Sequence, residues 1–359
     1  MRNILVYSML VLLAGACSSE GSRHSGYLKV SGETMGTTYH ITYRDSLGRN
    51  FKGQLDSLFI AFNDEVSTYI PSSVISQFNQ SLEAFDMGMS LEEASALPIP
   101  AEGNHFAANY AASLVYYHRS AGAFDPTVMP LVNYWGFGYT EKKPVEEADS
   151  ALVDSLRALV GMDTVLRYEG HMLSKTSPGV QLDFSAIAKG YGVDLAGVFL
   201  EKQGISDYLV EIGGEVRARG VNDKGLAWSI GINTPDTEAG IGDFQVAVRL
   251  DDRSLATSGN YRNFYEVEGR KYAHTINPWT GYPQQSTLLS ASVFAPTCTE
   301  ADALATACMV MGLEKAFEFI QSQNHLEAYF IFGKEDGSME VMYSPGLYDN
   351  LIKGKGELK

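Results

Sequence analysis

Hydrophobic and polar positions alternate along the chain with two different periods. At residues 27–44 apolar side chains recur at every second position, with a break at Gly36, which predicts strands. The same alternation, or a short apolar run, predicts further strands at 179–184, Tyr208–Ile212, Trp228–Asn233, Phe244–Leu250, Tyr272–Ile276 and Leu289–Ala295.

Other segments have the spacing of amphipathic helices. Residues 51–66 place their aromatic and leucine side chains on one face. Further helices are predicted at Ala107–Ser120, at Ser185–Gln203 and at Thr299–Met311 with Thr299 as N-cap. Residues 140–178 are polar and irregular in period, which favours an excursion between two lobes. Because strands and helices mix without a regular βαβ alternation, the pattern predicts an α+β fold of mixed sheets with packed helices, and the length admits two lobes.

The N-terminus has the layout of a secretory signal. Arg2 precedes an apolar run, Ile4–Ala14, that is too short to span a bilayer. Leu13–Cys17 also resembles a bacterial lipobox, in which Cys17 becomes the lipidated N-terminus; the alternative is a plain signal peptide with an incidental cysteine. We therefore assign residues 1–16 to a signal peptide, 17–26 to a lipidated tether, 27–345 to the folded domain and 346–359 to a C-terminal tail. The expected location is the cell envelope, with a membrane anchor and the domain facing the periplasm.

Charge and cysteine content narrow the function classes. The chain has 27 basic and 43 acidic residues, a formal charge of −16. This balance argues against nucleic acid as a partner, since such binding needs a basic surface, but a metal ion or a helix N-terminus can still hold a small anion. Beyond Cys17 there are Cys298 and Cys308, and both a disulfide and two buried thiols fit the sequence.

The common hydrolase, zinc-protease and P-loop motifs are absent. Instead the chain carries blocks rich in glycine, aspartate and threonine, namely Gly122–Thr127, Leu182–Tyr191, Glu211–Glu215, Ala256–Tyr261, His274–Gly281 and Ala301–Ala307. In the last block Asp302 and Thr306 are four residues apart, so a helix places both oxygens on one face. A carboxylate and a hydroxyl form a hard oxygen pair that suits Mg²⁺, although capping of a helix is an alternative use.

In this order the blocks resemble the ApbE family of FAD:protein FMN transferases, from about Thr34 to Gly312. The resemblance includes Met35–Tyr39, Ser67–Tyr69 and Trp135–Phe137. It implies an enzyme that binds FAD with Mg²⁺, splits the pyrophosphate, transfers FMN to a threonine (or serine) hydroxyl of an acceptor flavoprotein and releases AMP. The chain departs from the family pattern at Asn277, where an aspartate is usual, at Trp279, where a basic residue is common, and at Ser185–Ala186, where glycine is frequent.

The resemblance also implies which residues form the site. The metal ligands would be Asp302, Thr306 and the main-chain carbonyl of Ala186. The FAD contacts would be Met35, Tyr69, Ala123, Phe124, Asp125, Asp183, Lys189, His274 and Ile276. His274 is a candidate acceptor of the hydroxyl proton because its ordinary pKa suits that role near neutral pH, and Asp302 is the rival base.

Two other functions fit the same residues. One is an FAD pyrophosphatase, in which water replaces the threonine as the nucleophile. The other is a lipoprotein that binds FAD without chemistry, and the presence of Asp302, Thr306 and Lys189 argues against it.

Overall fold

A computed structural model describes residues 26–82, 84–96, 103–138, 145, 147–233, 244–260, 264–267 and 270–352. The expected signal peptide and Cys17 lie outside these residues. The described strands are β1 Tyr27–Thr34, β2 Thr37–Arg44, β3 Phe85–Asp86, β4 Leu166–Glu169, β5 Met172–Lys175, β6 Tyr208–Ile212, β7 Glu215–Arg219, β8 Trp228–Asn233, β9 Phe244–Leu250, β10 Ser254–Gly259, β11 Phe264–Val267, β12 Arg270–Ala273, β13 Leu288–Ala295, β14 Glu327–Gly333, β15 Met339–Tyr343 and β16 Leu351–Ile352.

The helices alternate irregularly with these strands. The described α-helices are α1 Lys52–Val66, α2 Val74–Gln80, α3 Leu91–Ala96, α4 His105–Arg119, α5 Met129–Tyr134, α6 Ser150–Arg157, α7 Met162–Val165, α8 Ala188–Lys202, α9 Cys298–Met311 and α10 Leu313–Gln321. Short 3₁₀ turns occur at Pro126–Val128 and Pro345–Asn350. None of the described helices is long and apolar enough to cross a membrane.

Eight of the described strands form one antiparallel sheet in the order β1-β2-β6-β7-β10-β13-β14-β15. Strand β1 turns into β2 at Met35 and Gly36, which both have a positive φ (50° and 70°). The turn explains the break in the strand pattern at Gly36. The predicted α+β fold is therefore confirmed, with helices packed on mainly antiparallel sheets.

Helices α8 and α9 pack against each other and against this sheet. Helix α9 lies on β10 and β13, and α8 contacts β6 and β7. Nearly all of α9 is buried, including Ala303 and Leu304, which join the largest hydrophobic core. The two helices therefore hold their polar side chains at fixed positions beside the ends of the central strands.

The segment 140–178 differs from the predicted excursion between lobes. Its described residues include α6, α7, β4 and β5, and β5 pairs with both β3 and β4. Met162, Val165 and Leu173 are buried in the main core. The irregular sequence period here reflects short elements, each of which buries only one or two side chains.

The predicted C-terminal tail is also partly wrong. Within residues 346–352, β16 pairs with β9 through Leu351 and Val248, and β9 pairs with β8 in the same small sheet. Leu347 is buried in the core beneath this sheet. The folded domain therefore extends at least to Ile352.

One predicted strand does not form, and one predicted helix begins later than expected. Residues 179–184 do not form a strand, although Val180, Leu182 and Phe184 are all buried as a strand pattern requires. The Asn79 side chain hydrogen-bonds both main-chain groups of Leu182, at 2.7 and 2.8 Å, in place of a neighbouring strand. Helix α8 begins at Ala188, three residues later than predicted.

The N-cap of α9 is Thr297 and not Thr299. The Thr297 hydroxyl accepts a hydrogen bond from the backbone nitrogen of Glu300, whereas the Thr299 hydroxyl donates to buried Asp194 at 2.7 Å. Asp194 also accepts hydrogen bonds from the backbone nitrogens of Cys298 and Thr299 and pairs with Arg217. A buried carboxylate thus fixes the start of the helix that carries Asp302.

The remaining boundaries shift by a few residues. The helix predicted at Ala107–Ser120 is α4, His105–Arg119, and the strand predicted at Tyr272–Ile276 ends at Ala273. Cys298 and Cys308 are both buried free thiols, which decides between the two alternatives for these cysteines.

Candidate active site

A cavity of about 460 Å³ opens where the starts of α8 and β7 meet α9. Of the residues implied as FAD contacts or metal ligands, those that line it are Tyr69, Ala123, Phe124, Asp125, Asp183, Ala186, Lys189, His274, Ile276, Asp302 and Thr306. Met35 is not among the lining residues; it lies in the β1–β2 turn and packs against α8 at Gly192. The structure therefore brings together all of the implied set except Met35.

Asp302 and Thr306 occupy one face of α9, as their spacing predicts. Oδ2 of Asp302 accepts a hydrogen bond from the backbone nitrogen of Gly190 at 2.9 Å. The Thr306 hydroxyl lies 3.1 Å from the hydroxyl of Ser258 on β10. Both side chains are thus oriented by neighbouring elements while they face the cavity.

Lys189 forms the cationic part of the wall. Its ammonium lies 2.5 Å from Oε1 of Glu215 and 3.9 Å from Oδ1 of Asp302. Burial alone would lower the pKa of Lys189, but the charges of Asp302 and Glu215 outweigh it and raise the pKa above its usual value. Lys189 is therefore a permanent cation, suited to contact a phosphate group.

Asp125 and Asp183 lie on adjacent loops that are joined by a main-chain hydrogen bond. The backbone nitrogen of Asp183 donates to the carbonyl of Pro126 at 2.8 Å. Burial raises the pKa of Asp125 to about 6, although the amide and hydroxyl of Thr127 donate to its Oδ1. Burial likewise raises the pKa of Asp183, against hydrogen bonds from Ser185. The loops thus present two oriented carboxyl groups to the cavity.

His274 enters the cavity just after β12. Its ring contacts that of Phe137 with centroids 6.4 Å apart. The following residues form a narrow turn in which Ile276 bridges to Pro283 and the hydroxyl of Thr275 donates to Asn260 at 2.7 Å. The turn fixes the main chain on the C-terminal side of His274.

Asn277, which stands where the family usually has an aspartate, has a structural role that does not need a negative charge. Its Oδ1 accepts hydrogen bonds from the backbone nitrogens of Trp279 and Thr280, at 2.9 and 3.1 Å. Its Nδ2 donates to Oε1 of Gln284 at 2.8 Å. Asparagine therefore supplies the turn acceptor that an aspartate would supply, and Asn277 is not among the residues that line the cavity.

The donors at the α9 face suit a hard cation. Among the described residues no group of three or more histidine, cysteine, aspartate or glutamate side chains is placed to hold a metal ion. A site built here would instead use the oxygens of Asp302, Thr306 and the Ala186 carbonyl, which all belong to residues that line the cavity. An all-oxygen set with few protein ligands is the kind that Mg²⁺ accepts, because it retains water or phosphate as its other ligands. The residues present therefore fit the implied metal.

Sequence reasoning missed Glu215, Ser258 and Phe137 as parts of this wall. Glu215 ends one of the glycine-rich blocks, and a carboxylate directly after Gly213 and Gly214 at a strand start was the available signal. Ser258 lies in another of the blocks, and Phe137 belongs to the Trp135–Phe137 part of the family resemblance, where an aromatic side chain is equally typical of a core residue.

Fold and cavity together define an α+β protein whose main cavity is lined by the Lys189 ammonium and by the oxygen-bearing side chains of Asp302 and Thr306. The model of the ApbE family matches residues 35–330. This match covers most of the sequence, and the chain belongs to the ApbE family.

Curated relatives and solved structures agree with that assignment. The FAD:protein FMN transferase of Vibrio cholerae is 36% identical over 348 residues, which cover 96% of this chain and 98% of that protein. The FAD:protein FMN transferase of Haemophilus influenzae is 36% identical over 342 residues, 93% of each protein. The solved flavin transferase ApbE from Vibrio cholerae has a TM-score of 0.77 and 34% identity and covers 90% of this chain and 99% of its own. The Pseudomonas stutzeri flavinyl transferase ApbE in its apo form has a TM-score of 0.77, 30% identity and coverages of 90% and 96%.

Proposed function

We propose that this protein is a FAD:protein FMN transferase that uses Mg²⁺. It transfers the FMN part of FAD to the hydroxyl of a threonine (or serine) in an acceptor flavoprotein and releases AMP. One observation carries the proposal: a single cavity is lined by the cation of Lys189, by the oxygens of Asp302 and Thr306 and by His274. Transfer of a phosphate-linked group requires neutralisation of the phosphate charge, alignment of the reacting groups and a proton acceptor, and these residues can supply all three.

The ligand groups have natural partners in the cavity. Lys189 would contact the pyrophosphate, and Tyr69 and Phe124 offer aromatic faces for the flat rings of FAD. Asp302, Thr306 and the Ala186 carbonyl would hold Mg²⁺. When bound, Mg²⁺ neutralises the charge that builds on the phosphate oxygens.

The reaction makes one bond and breaks one. The acceptor oxygen bonds to the phosphorus of the FMN half, and the bond from that phosphorus to the bridging oxygen breaks. The bridging oxygen leaves as part of AMP, and the proton of the acceptor hydroxyl goes to His274. FMN thereby becomes linked to the acceptor by a phosphoester, with no change in oxidation state.

His274 is a better proton acceptor than Asp302 for a geometric reason. Oδ2 of Asp302 already accepts the hydrogen bond from Gly190, and Oδ1 faces the Lys189 ammonium. A carboxylate that holds a hydrogen-bond donor and a metal ion has no oxygen left to take the proton of the acceptor hydroxyl. His274, whose ring contacts that of Phe137, lines the same cavity and is not one of the proposed metal ligands.

Substitution of Asp302 tests the metal assignment. In Asp302→Ala, release of AMP from FAD should fall by at least a hundredfold, and chelation of the wild type should have the same effect and be reversed by added Mg²⁺. Asp154→Ala removes an exposed carboxylate (68% exposed side chain) and is the control. Full activity of Asp302→Ala, or of the chelated wild type, would refute the assignment.

We further propose that the protein is a lipoprotein of the cell envelope, anchored through Cys17 and facing the periplasm. The lipobox-like sequence Leu13–Cys17 supports this, followed by a short polar segment before β1. Cys17→Ser should release the protein from the membrane fraction and leave flavin transfer intact. A variant that stays in the membrane fraction would contradict the lipid anchor.

A further inference from the structure

Glu215 is a buried carboxylate that the proposed reaction leaves without a role. It is the first residue of β7, only 3% exposed, and it lines the cavity. Its Oε1 lies 2.5 Å from the Lys189 ammonium, whereas its Oε2 has no hydrogen-bond partner within the described part of the chain. Burial of a carboxylate costs folding free energy unless the carboxylate is paired. Glu215 therefore depends on its ion pair with Lys189.

We propose that Glu215 is a positioning residue that holds the Lys189 ammonium away from Asp302 and so keeps Asp302 available to a divalent cation. The inference rests on the proposed Mg²⁺ site. It assigns Glu215 a function through Lys189 and not as a ligand of the metal.

The distances carry the argument. Lys189 stands between two carboxylates, and it is in direct contact with Glu215 but 3.9 Å from Oδ1 of Asp302. Oδ2 of Asp302 is fixed by the backbone nitrogen of Gly190. The oxygen that faces Lys189 is therefore the one that is not already held by Gly190.

Removal of the Glu215 charge changes the position that the Lys189 ammonium takes between the two carboxylates. Of the two carboxylates paired with Lys189, only Asp302 then remains, and in a buried site the attraction between unlike charges is strong. The ammonium would move towards Asp302 and form a direct ion pair. Such a pair competes with a divalent cation for the same carboxylate, so the affinity for the metal should fall.

A purely structural role for Glu215 predicts something different. If Glu215 only stabilises the start of β7, its substitution should lower the free energy of unfolding without a specific effect on metal binding. Further removal of Lys189 should then not restore metal binding. The double variant therefore separates the two roles.

The test measures Mn²⁺ binding to the FAD-free protein by electron paramagnetic resonance, with Mn²⁺ as the probe for the Mg²⁺ site. Glu215→Gln should weaken Mn²⁺ binding by about tenfold, within the range for residues coupled in one network. The double variant Glu215→Gln with Lys189→Ala should regain most of that loss. Glu201→Gln is the matched control, because Glu201 also pairs with a cation, half-buried Arg217, but is not among the residues that line the cavity.

Two further variants, Lys189→Ala and Asp302→Ala, give results that do not depend on the folding of Glu215→Gln. Lys189→Ala alone should bind Mn²⁺ at least as tightly as wild type, which gives an independent result if Glu215→Gln does not fold, and circular dichroism reports the folding of each variant. Unchanged Mn²⁺ affinity in folded Glu215→Gln, no recovery in the double variant, or weaker binding by Lys189→Ala would overturn the inference. Asp302→Ala shows whether the Glu215 inference or the proposed metal site has failed. If Asp302→Ala loses Mn²⁺ binding while Glu215→Gln keeps it, the metal site stands and only the role of Glu215 is wrong.

Discussion

The backbone nitrogen of Gly190 donates a 2.9 Å hydrogen bond to Oδ2 of Asp302, and this bond joins α8 to α9 at the wall of the cavity. A Cβ atom at position 190 would clash with the carbonyl oxygen of Cys298 and would lie 2.7 Å from Cβ of Asp302. The close approach of the two helices thus depends on the absence of a side chain at Gly190. The same contact orients the carboxylate to which we assign the metal.

Gly190→Ala should therefore reduce both stability and activity. The added methyl group must push α8 and α9 apart, and we expect the free energy of unfolding to fall by about 1–3 kcal/mol. Denaturant unfolding measures the change. Gly53→Ala is the matched control, since Gly53 lies within α1 and an added Cβ would have no atom within 4 Å apart from its chain neighbours and the backbone of its own helix. That control should gain about 0.5–1 kcal/mol from helix propensity, and an equal gain in Gly190→Ala would contradict the packing argument.

His274 and Lys189 should differ in the step that they affect. Loss of a proton acceptor in His274→Ala should lower the single-turnover rate at saturating FAD by on the order of a hundredfold. FAD affinity should change far less, because proton transfer matters mainly in the transition state. Lys189→Ala removes a contact that is present before reaction, so FAD binding itself should weaken. If His274→Ala instead loses FAD binding and keeps its rate at saturation, His274 is a cofactor contact and not the base.

The buried His105 should make the protein sensitive to acid. Burial lowers the pKa of His105 to about 4, and its Nδ1 has no partner among the described residues. Because the folded-state pKa lies below the unfolded value of about 6.5, the contribution of His105 is present above pH 6.5 and is lost as the pH falls towards 4. The total loss is about 3 kcal/mol.

Unfolding free energies of wild type and His105→Phe across this pH range test the prediction. The ring of phenylalanine can keep the edge-to-face contact with Phe62, so the difference between the two proteins isolates the titration. The advantage of the variant should grow as the pH falls from 6.5 to 4. His171→Leu, at an exposed position, should follow the wild type. A pH-independent difference between wild type and His105→Phe would show that His105 is not the titrating group.

Strands with regular alternation were predictable from the sequence. Tyr208–Ile212 and Trp228–Asn233 have the predicted bounds, because their alternate side chains face a buried layer. Residues 179–184 show the limit of this reasoning. Their alternate side chains are buried as in a strand, yet the partner of the main chain is the amide of Asn79, about a hundred residues earlier in sequence. Period alone cannot distinguish a side-chain partner from a neighbouring strand.

The start of α8 was missed for a similar local reason. Asp183 accepts hydrogen bonds from the backbone nitrogen and the hydroxyl of Ser185, and these compete with the first helical turn. In the site, the pair Asp302 and Thr306 was predictable because it lies on one helix. The pairing of Lys189 with Glu215 joins a helix to a strand 26 residues later, and only the fold of α8 on β7 reveals it.

The most direct test of the central claim is the intact mass of an acceptor flavoprotein after incubation with this protein, FAD and Mg²⁺. The account predicts a gain equal to one FMN on the acceptor, release of one AMP for each transfer, and no gain when the target threonine is changed to valine. Asp302→Ala should give neither product. Free FMN and AMP with an unmodified acceptor would contradict the account and indicate an FAD pyrophosphatase, and bound but intact FAD would indicate a binding protein without chemistry.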